Sequence, residues 1–403
     1  MRIVGLAPNR WHDQWVNRQQ LLSRLGLKHS VLYSIGAWSV WDRDSIEWRR
    51  AKPFGAFHHA DNVVIEEAPK FLLRWPRWPH LDQFVIRAHA QRLARHLNRG
   101  EASPLLTLLF HPGFLPYAQF LRSDFLIYHA YDLFEGTPGW NAELEALEVA
   151  LLRKADLVTT VSETIARRLR EKVEREIRVL PNGVDLAAFD ISSKGTQAGI
   201  PEDLARISRP RLGYIGSLHF QIDYGLVAKL AEAQPEWNFV FVGGGPRGID
   251  RDERAEKELE LCRKCPNVHF LGEKHRTEVP AYLSNMDVNL MLYRLSNETW
   301  IKSIYPLKLH EYLAVGKPVV SADVPAVREF SGVVRIAAGF ADWRQAIEEA
   351  LRSGGIGTRS ERRAVAAQNS WDARAAMLDG WFTHLLKERN RGDGSSTTAP
   401  AEA

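Results

Sequence analysis

Short apolar runs, each long enough for one buried strand, recur along the chain and alternate with segments of helical spacing. Clear examples are Arg2–Leu6, Leu105–Phe110 and Trp237–Val242. Near-continuous apolar runs are typical of strands buried on both faces of a parallel sheet. Strands that alternate with helices predict an α/β protein with parallel sheets. The length of 403 residues favours two such domains over one.

The composition is that of an ordinary globular protein with a mildly basic charge. Hydrophobic residues make up 45% of the chain and charged residues 25%, so each half can bury a core. The net charge of +4 is compatible with a phosphorylated substrate or an anionic membrane surface, and we expect no nucleic-acid partner. No stretch reaches about 18 uninterrupted apolar residues, so we expect no transmembrane helix. The apolar start, Met1–Leu6, is too short for a signal peptide.

The segment 71–99 combines aromatic and basic residues. It contains Trp75 and Trp78, and Asp82 is its single acid among six arginines: Arg74, Arg77, Arg87, Arg92, Arg95 and Arg99. Tryptophan and arginine on an amphipathic element suit a membrane interface. The alternative is an ordinary helix that packs on the sheet and exposes a basic face to solvent. We expect a cytoplasmic protein, with peripheral contact with the inner membrane through this segment as the open alternative.

The stretch 306–320 contains residues typical of the two ends of a helix, together with two charged residues. Pro306 suits a first helical turn, and Gly316 suits the position just past a helix end. Lys308 and Glu311 are three residues apart, so they share a face near the helix start. Phosphate binds readily beside free backbone N–H groups and a positive charge. Lys308 could supply that charge, and Glu311 could accept hydrogen bonds from a ribose diol. From spacing alone, a helix with a solvated charged face is equally acceptable.

Polar residues follow the predicted strand Phe125–Tyr128. His129 and Asp132 lie at its end, and Asp132 is the carboxylate that best suits a general base or a clamp for sugar hydroxyls. An aspartate that caps the next helix is the alternative. In doubly wound folds, ligands bind beyond the carboxyl ends of strands. The other candidates at such ends are Asn9, Arg10, Trp11 and His111, for which a plain surface loop is the alternative.

Glycines follow two predicted strands of the second half. Gly216 and Ser217 come after Arg211–Ile215, and Gly243 and Gly244 come after Trp237–Val242. Glycine at a strand end permits a close approach of the backbone to a ligand. The spacing is not G-x-G-x-x-G, so it indicates no dinucleotide.

Two passages resemble a known family. The pattern P-x-K-x-x-E-Y-x-A-x-G-K-P-V-V at 306–320 resembles the donor-site helix of GT-B glycosyltransferases, particularly family 4 and the bacterial exopolysaccharide and teichuronic-acid type enzymes. The passage from A-D-L-V-T-T-V-S-E at 155–163 to L-P-N-G-V-D at 180–185 is the second match. The sequence departs from the family pattern after Gly216, where the usual arginine is absent, and at Ser303, where the family usually has a glutamate.

The resemblance implies two Rossmann-like parallel-sheet domains that face a central cleft, the GT-B fold. The first, 1–190, would bind the acceptor and be closed by a helix at about 371–388. The second, 191–370, would bind the nucleotide sugar, and 391–403 would be a disordered tail. The implied donor-binding residues are Gly216, Ser217, Gly243, Gly244, Leu271, Gly272, Ser303, Pro306, Leu307, Lys308 and Glu311. The acceptor-binding residues are Asn9, Arg10, Trp11, His111, His129 and Asp132.

The resulting hypothesis is a glycosyltransferase in bacterial surface polysaccharide assembly. It would move a sugar from a nucleotide-diphosphate sugar, with UDP the favoured nucleotide, to a glycan or lipid-linked acceptor. Asp132 and Lys308 are the catalytic candidates, and we expect no cofactor beyond the nucleotide-sugar co-substrate and no metal site. A nucleotide-sugar epimerase of the same fold and a non-catalytic nucleotide-sugar-binding protein are the alternatives.

Overall fold

The computed structural model divides the chain into two compact units. One consists of residues 1–181 and 371–403, and the other of residues 182–370. The residues that it describes are 1–13, 15–97, 103–137, 139–189, 199–245, 252–295 and 303–395. The division at Pro181 precedes the expected boundary at 190, so residues 182–189 belong to the second unit.

The first unit is built on an eight-stranded sheet with the strand order β3-β4-β2-β1-β5-β6-β7-β8. The neighbouring strands are parallel except β3 and β4, which pair antiparallel at the edge. The strands are β1 (Arg2–Leu6), β2 (Ser30–Ser34), β3 (Ala56–Ala60), β4 (Val63–Glu67), β5 (Leu105–Leu109), β6 (Phe125–Ala130), β7 (Leu157–Thr160) and β8 (Arg178–Val179).

The edge hairpin is an element that the sequence analysis did not predict. Its turn residues Asp61 and Asn62 have positive φ angles of 49° and 66°. Two successive left-handed residues form the type I′ turn that matches the twist of paired strands, and Asp and Asn tolerate that conformation. The Asp-Asn pair between two apolar runs was therefore the sequence feature that could have predicted this hairpin.

The second unit is built on a six-stranded sheet with the order β11-β10-β9-β12-β13-β14, in which all neighbours are parallel. Its strands are β9 (Arg211–Ile215), β10 (Asn238–Val242), β11 (Val268–Phe270), β12 (Val288–Met291), β13 (Val319–Ala322) and β14 (Arg335–Ala337). The central strands β9, β10 and β12 are almost wholly buried, as their apolar sequences predict.

Helices connect the strands in both units. In the first unit they are α1 (Asn17–Leu25), α2 (Ile46–Arg50), α3 (Pro79–Leu97), α4 (Leu115–Leu121), α5 (Ala142–Lys154) and α6 (Glu163–Lys172). In the second unit they are α7 (Leu186–Phe189), α8 (Glu202–Ala205), α9 (Tyr224–Ala233), α10 (Glu253–Lys264), α11 (Val279–Ser284), α12 (Lys308–Ala314), α13 (Pro325–Arg328), α14 (Gly339–Ser353) and α15 (Arg359–Gln368). Among the helices of the described ranges, none combines the length and apolar character needed to cross a bilayer.

The last helix, α16 (Trp371–Ser395), packs on the first unit. Asp379 accepts hydrogen bonds from Lys28 at 3.2 Å and binds His29 Nε2 at 2.7 Å, both just after α1. Arg389 binds the carboxylate of Asp124 before β6 at 2.7 Å. The predicted tail is wrong for residues 391–395, which continue α16, and residues 396–403 lie outside the described residues.

The side chain of Tyr312 connects helix α12 to the end of β9. The hydroxyl of Tyr312 accepts a hydrogen bond from Ile215 N at 2.8 Å and donates one to Ile215 O at 3.0 Å. Gly316 follows the helix with a φ of +73°, as its predicted position past the helix end requires. The helix begins at Lys308 rather than at Pro306, so Lys308 and Glu311 both lie in its first turn.

Candidate functional site

Two glycine turns at the carboxyl ends of β9 and β10 lie in backbone contact. Gly216 N donates a hydrogen bond to Val242 O, and Gly243 N donates one to Gly272 O, both at 2.9 Å. A Cβ atom on Gly243 would lie 1.9 Å from the carbonyl oxygen of Gly216. Only glycine fits at this distance, because a side chain would overlap the neighbouring backbone.

The ammonium group of Lys308 lies beside the first of these turns. Its Nζ atom is 3.7 Å from the centre of the Tyr214 ring and donates a hydrogen bond to the Tyr214 hydroxyl. That hydroxyl donates to Ser217 O at 3.1 Å. A Cβ atom on Gly216 would lie 3.0 Å from Lys308 Nζ. The fold therefore brings a cation to the Gly216–Ser217 turn, although the sequence separates them widely.

Burial shifts the protonation of the two charged residues on α12. It lowers the pKa of Lys308 to about 7, which the charge of Glu311 partly opposes. It also raises the pKa of Glu311 to about 7, which the charge of Lys308 partly opposes. Neither side chain forms an ion pair within the described part of the chain. A partly buried cation without a carboxylate partner is suited to an anionic ligand, which would repay its lost hydration.

The histidine next to this turn is neutral at physiological pH. Burial and then the charge of Lys308 lower the pKa of His219 to about 3. Its Nδ1 atom is buried without a hydrogen-bond partner in the described residues. His219 can therefore give or accept a hydrogen bond but adds no charge to the site.

The other predicted donor-binding residues are arranged less uniformly. Gly244 O accepts a hydrogen bond from Leu218 N at 2.9 Å, and Gly272 has a φ of +73° in an exposed turn after Leu271. Pro306 and Leu307 directly precede α12. Ser303 was predicted to contact the donor. This prediction requires a correction, because Ser303 is fully buried and its hydroxyl does not reach the surface.

Two other basic residues, Arg294 and Lys302, precede α12 in the sequence. Arg294 forms an ion pair with Glu258, which neutralises it locally. Lys302 lies outside the described residues. Of these basic residues, Lys308 is the one that the described part of the chain places at the Gly216 turn.

Asn182 fixes the loop that leads into α12. Its side-chain amide donates a hydrogen bond to Tyr305 O at 2.9 Å, and the amide is buried. The hydroxyl of Tyr305 binds His310 Nε2 at 2.8 Å. Asn182 thus has a structural role, because it holds the segment that precedes α12.

In the first unit, the candidate acceptor residues lie beyond the carboxyl ends of neighbouring strands. Strands β1, β5 and β6 are adjacent and parallel, so the residues after their carboxyl ends converge. These residues include Asn9, His111 and Asp132. The convergence follows from strand order, which the sequence did not reveal.

Asp132 is half-buried at the end of β6. Its Oδ1 atom accepts a hydrogen bond from Leu133 N at 2.8 Å. Burial raises its pKa above the usual range, against this hydrogen bond and the charge of Arg18, which lower it. The following short 3-10 turn, Phe134–Gly136, has no side-chain cap, so the structure does not support a capping role for Asp132.

Both histidines at these strand ends, His111 and His129, are neutral near pH 7. Burial and then the charge of Arg18 lower the pKa of His111 to about 4 and that of His129 to about 3. His111 Nδ1 accepts a hydrogen bond from Gly113 N at 3.1 Å, which leaves the proton of the neutral ring on Nε2. His129 binds Thr159 Oγ1 through Nδ1 at 2.8 Å, and its Nε2 has no partner in the described residues.

Trp11 requires a correction. It was expected to contact an acceptor, but only 1% of its surface is exposed. Its Nε1 atom donates a hydrogen bond to Asp61 Oδ2 at 3.0 Å, and its ring packs edge-on against Tyr33 at 5.0 Å. An aromatic ring with its N–H satisfied inside the protein has a packing role. Arg10, by contrast, is partly exposed and lies 5.3 Å from the Trp38 ring.

The sequence analysis missed Arg18, on the first turn of α1. Its guanidinium lies 4.0 Å over the ring of Tyr131, and its Nη2 atom donates to Asn9 Oδ1 at 2.7 Å. Only 4% of Arg18 is exposed. The available signal was periodicity: Arg18 occupies the same helix face as the buried residues Leu21, Leu22 and Leu25.

Comparisons with known proteins match both units. The family model described as Glycosyltransferase Family 4 matches residues 53–188, and the model described as Glycosyl transferases group 1 matches residues 209–353. TuaH of Bacillus subtilis (strain 168), named for teichuronic acid biosynthesis as a glycosyltransferase, is 25% identical over 389 residues, 86% of this chain and 95% of TuaH. A 2-deoxystreptamine glucosyltransferase of Streptomyces kanamyceticus is 29% identical over 158 residues, 36% of this chain and 39% of that protein.

Solved structures share the fold over nearly the whole chain. A sucrose-phosphate synthase from Thermosynechococcus elongatus superposes with a TM-score of 0.68 at 15% identity, covering 96% of this chain and 99% of that one. The Anabaena protein HepE, solved with UDP and glucose, superposes with a TM-score of 0.66 at 16% identity, covering 95% and 100%.

The two parallel-sheet units, with glycine turns and a lysine gathered at the strand ends of the second, and the solved structures that superpose on them define the GT-B fold of glycosyltransferases. Within that class, the two family models and the similarity to TuaH identify the chain as one of the family 4 type.

Proposed function

We propose that this chain transfers a sugar from a UDP-sugar to a glycan or lipid-linked acceptor in bacterial surface polysaccharide assembly. The observation that carries the proposal is the position of Lys308, whose ammonium lies beside the Gly216–Ser217 turn without a carboxylate partner in the described residues. Solved relatives hold UDP and UDP-glucose, and TuaH is named for teichuronic acid biosynthesis. These names support the nucleotide and the pathway class.

The donor diphosphate would bind at the Gly216–Ser217 turn and Lys308. Its ribose would bind Glu311, and its base would lie against the Leu271–Gly272 turn. As the bond to the sugar breaks, negative charge develops on the leaving diphosphate, and Lys308 would stabilise that charge. We propose that this positive charge makes an added metal ion unnecessary.

The acceptor would bind at the strand ends of the first unit. Asp132 would accept a proton from the attacking hydroxyl, or hold a sugar hydroxyl in place. His111 and His129, being neutral, would act as hydrogen-bond partners rather than as acids. If Asp132 is the base, the product anomer would be inverted, and product NMR would distinguish this from retention.

Nucleotide binding tests the donor site directly. Thermal unfolding of the full chain would be followed with UDP, GDP, ADP and their sugars, with and without Mg²⁺ or EDTA. A ligand that binds only the folded state raises the unfolding temperature. We expect a selective shift with UDP that Glu311→Ala abolishes and that EDTA leaves unchanged. Glu348→Ala is the matched control, because Glu348 is a surface residue of the same unit, near Arg344 on α14.

Turnover separates the proposal from its alternatives. Release of UDP that depends on an added acceptor supports the transferase. Conversion of a UDP-sugar to its epimer without acceptor would identify an epimerase, and binding without any turnover would identify a binding protein.

We further propose that the first unit docks on an anionic membrane surface at the cytoplasmic face of the inner membrane. Five aromatic side chains are more than half exposed there, which we call the aromatic surface: Trp41, Phe54, Phe71, Trp78 and Phe84. Phe54 and Phe71 pack edge-on at 5.8 Å, and Arg77 lies 4.9 Å from the Trp41 ring. The residues 41–54 therefore join the segment 71–99 suggested by sequence, of which Arg99 lies outside the described residues.

Co-sedimentation with liposomes tests this contact. We expect binding to vesicles with anionic lipid at low salt, weaker binding to zwitterionic vesicles, and loss of binding in a Phe54→Ser/Phe71→Ser variant. Leu261→Ser, which changes an exposed apolar residue of the second unit, is the control. Equal sedimentation of both variants would refute the aromatic surface as the contact.

A further inference from the structure

We infer that Arg18 binds an oxyanion, a carboxylate or a phosphate, that the acceptor carries close to its reacting hydroxyl. This inference rests on the proposed transfer reaction and names a feature of its acceptor. It makes Arg18 a specificity-determining residue of the first unit.

The guanidinium of Arg18 is buried with most of its donors unused. Its Nε and Nη1 atoms have no hydrogen-bond partner in the described residues, and it forms no ion pair there. Its contacts are with neutral groups, the amide oxygen Asn9 Oδ1 and the side chain of Tyr131. Arginine keeps its charge at all physiological pH values, and a buried charge without partners is costly. A ligand oxyanion would supply the missing acceptors.

Two other guanidiniums, one half-buried and one buried, are satisfied by the protein. Arg74 binds both carboxylate oxygens of Asp82, at 2.7 Å for its Nη2 atom. Arg362 donates to the backbone oxygens of Gly316, Gly354, Ile356 and Gly357. Arg18 differs from these two arginines, because two of its buried nitrogen atoms have no hydrogen-bond partner in the described residues.

The surroundings of Arg18 suit an acceptor rather than a solitary ion. Its charge acts on His111, His129 and Asp132, so these groups lie within electrostatic reach of it. The neutral His111 ring can donate from Nε2, since its Nδ1 accepts from Gly113 N. Asp132 alone would repel an anionic acceptor. Arg18 offsets that repulsion, so an acceptor could place a hydroxyl at Asp132 and an oxyanion at Arg18.

Two sources would supply this oxyanion: the carboxylate of a uronic acid, or a phosphate of a phosphorylated or lipid-linked acceptor. A planar guanidinium fork suits either group, because both offer two oxygens at matching spacing.

The test is direct binding to the full chain by calorimetry. The probes are glucuronate, glucuronate methyl ester, inorganic phosphate and UDP, each with the wild type, Arg18→Gln and Arg18→Lys. Arg24→Gln is the control, because Arg24 lies on the same helix but already pairs with Asp372 at 2.9 Å. Thermal unfolding would verify that each variant folds.

We expect glucuronate or phosphate to bind the wild type and Arg24→Gln, and to bind Arg18→Gln about tenfold or more weakly, as loss of a charged hydrogen-bond donor implies. Arg18→Lys should be intermediate, because it keeps the charge but loses the fork. The methyl ester should bind weakly to all four proteins. Preference for glucuronate would identify a uronic-acid acceptor, and preference for phosphate a phosphorylated one.

Equal anion binding by the wild type and Arg18→Gln would overturn the inference, as would no anion binding to the wild type up to about 50 mM. If Arg18→Gln does not fold, Arg18→Lys is compared with the wild type instead. Equal anion binding by these two proteins would contradict the role of the planar guanidinium. UDP binds the other unit, so its affinity should be the same in all four proteins. Failure of the wild type to bind UDP would instead refute the proposed function, and the anion comparison would still decide the role of Arg18.

Discussion

The Nζ atom of Lys308 lies 3.7 Å from the centre of the Tyr214 ring and donates a hydrogen bond to the hydroxyl of that ring. Tyr214 belongs to β9 and Lys308 to α12, so two distant segments place one cation at the Gly216–Ser217 turn. The aromatic face stabilises the ammonium without neutralising it, which a carboxylate partner would do. In its protonated form, Lys308 therefore has its charge available to a ligand.

UDP affinity should fall as the pH rises above 7. Burial lowers the pKa of Lys308 to about 7, so its amine is charged below that pH and neutral above it, and a diphosphate binds the charged form. The dissociation constant should rise by up to about tenfold per pH unit above the pKa. Calorimetry between pH 6 and 9 would measure it.

Two variants isolate the lysine. Lys308→Arg keeps its charge throughout and should remove most of the pH dependence. Glu311→Gln removes the carboxyl group that titrates in the same range. Because the charge of Glu311 raises the pKa of Lys308, the dependence should persist in this variant but move to lower pH. An equally steep dependence in Lys308→Arg would show that another group is responsible.

Gly243→Ala should destabilise the second unit and weaken UDP binding. Its Cβ would lie 1.9 Å from the Gly216 carbonyl oxygen, so the two glycine turns would have to separate. We expect a loss of about 1–3 kcal/mol in the free energy of unfolding, measured with denaturant. Gly245→Ala is the matched control, because a Cβ there meets nothing within 4 Å. A similar loss of unfolding free energy in both variants would contradict the importance of the close contact between Gly243 and Gly216.

Asp132→Asn should reduce sugar transfer by about 10²–10⁴-fold, the usual contribution of a positioned base, and leave UDP affinity unchanged. Burial raises the pKa of Asp132, so kcat/KM should fall with decreasing pH at a value above the ordinary aspartate range. Initial rates of UDP release across pH would measure both effects. Glu135→Gln is the control, since Glu135 pairs with Arg168 at 2.7 Å and Lys172 at 3.2 Å. Full transfer activity in Asp132→Asn would exclude Asp132 as the base.

Asp379→Asn should destabilise the first unit by about 1–3 kcal/mol, as loss of hydrogen bonds to a charged group implies. Burial alone would raise the pKa of Asp379, but hydrogen bonds from His29 and Lys28 hold it below its usual range. A lowered folded-state pKa contributes stability above the unfolded value of about 3.9, and this contribution is lost as the pH falls through the folded value. Denaturant unfolding at pH 7 and at acidic pH would measure it.

Asp372→Asn on the same helix is the comparison for this prediction. Asp372 is mostly exposed, with 69% of its side chain accessible, so its ion pair with Arg24 should contribute little. An acid-dependent loss equal to that of Asp379→Asn would show that exposure does not distinguish the two pairs.

The succession of elements was predictable from local pattern. The apolar runs of β1, β5, β6, β9 and β10 were located within two residues at each end. The hairpin of β3 and β4 was missed, because its turn depends on the left-handed residues Asp61 and Asn62 rather than on glycine. Two individual expectations also failed. Trp11 lies in the core and Ser303 is fully buried, because the packing of neighbouring elements, not position after a strand or before a helix, decides exposure.

By itself the sequence determined the parallel α/β class, the helix around Lys308 and Glu311, and the glycines at strand ends. These features depend on hydrophobic periodicity, residue propensity and backbone freedom over a few neighbouring residues. The tertiary structure decided which distant groups meet. It placed Lys308 on Tyr214 and buried Arg18 over Tyr131. It also made His111 and His129 neutral. Burial and electrostatic interaction depend on distances across the fold, which residue spacing along one chain does not contain.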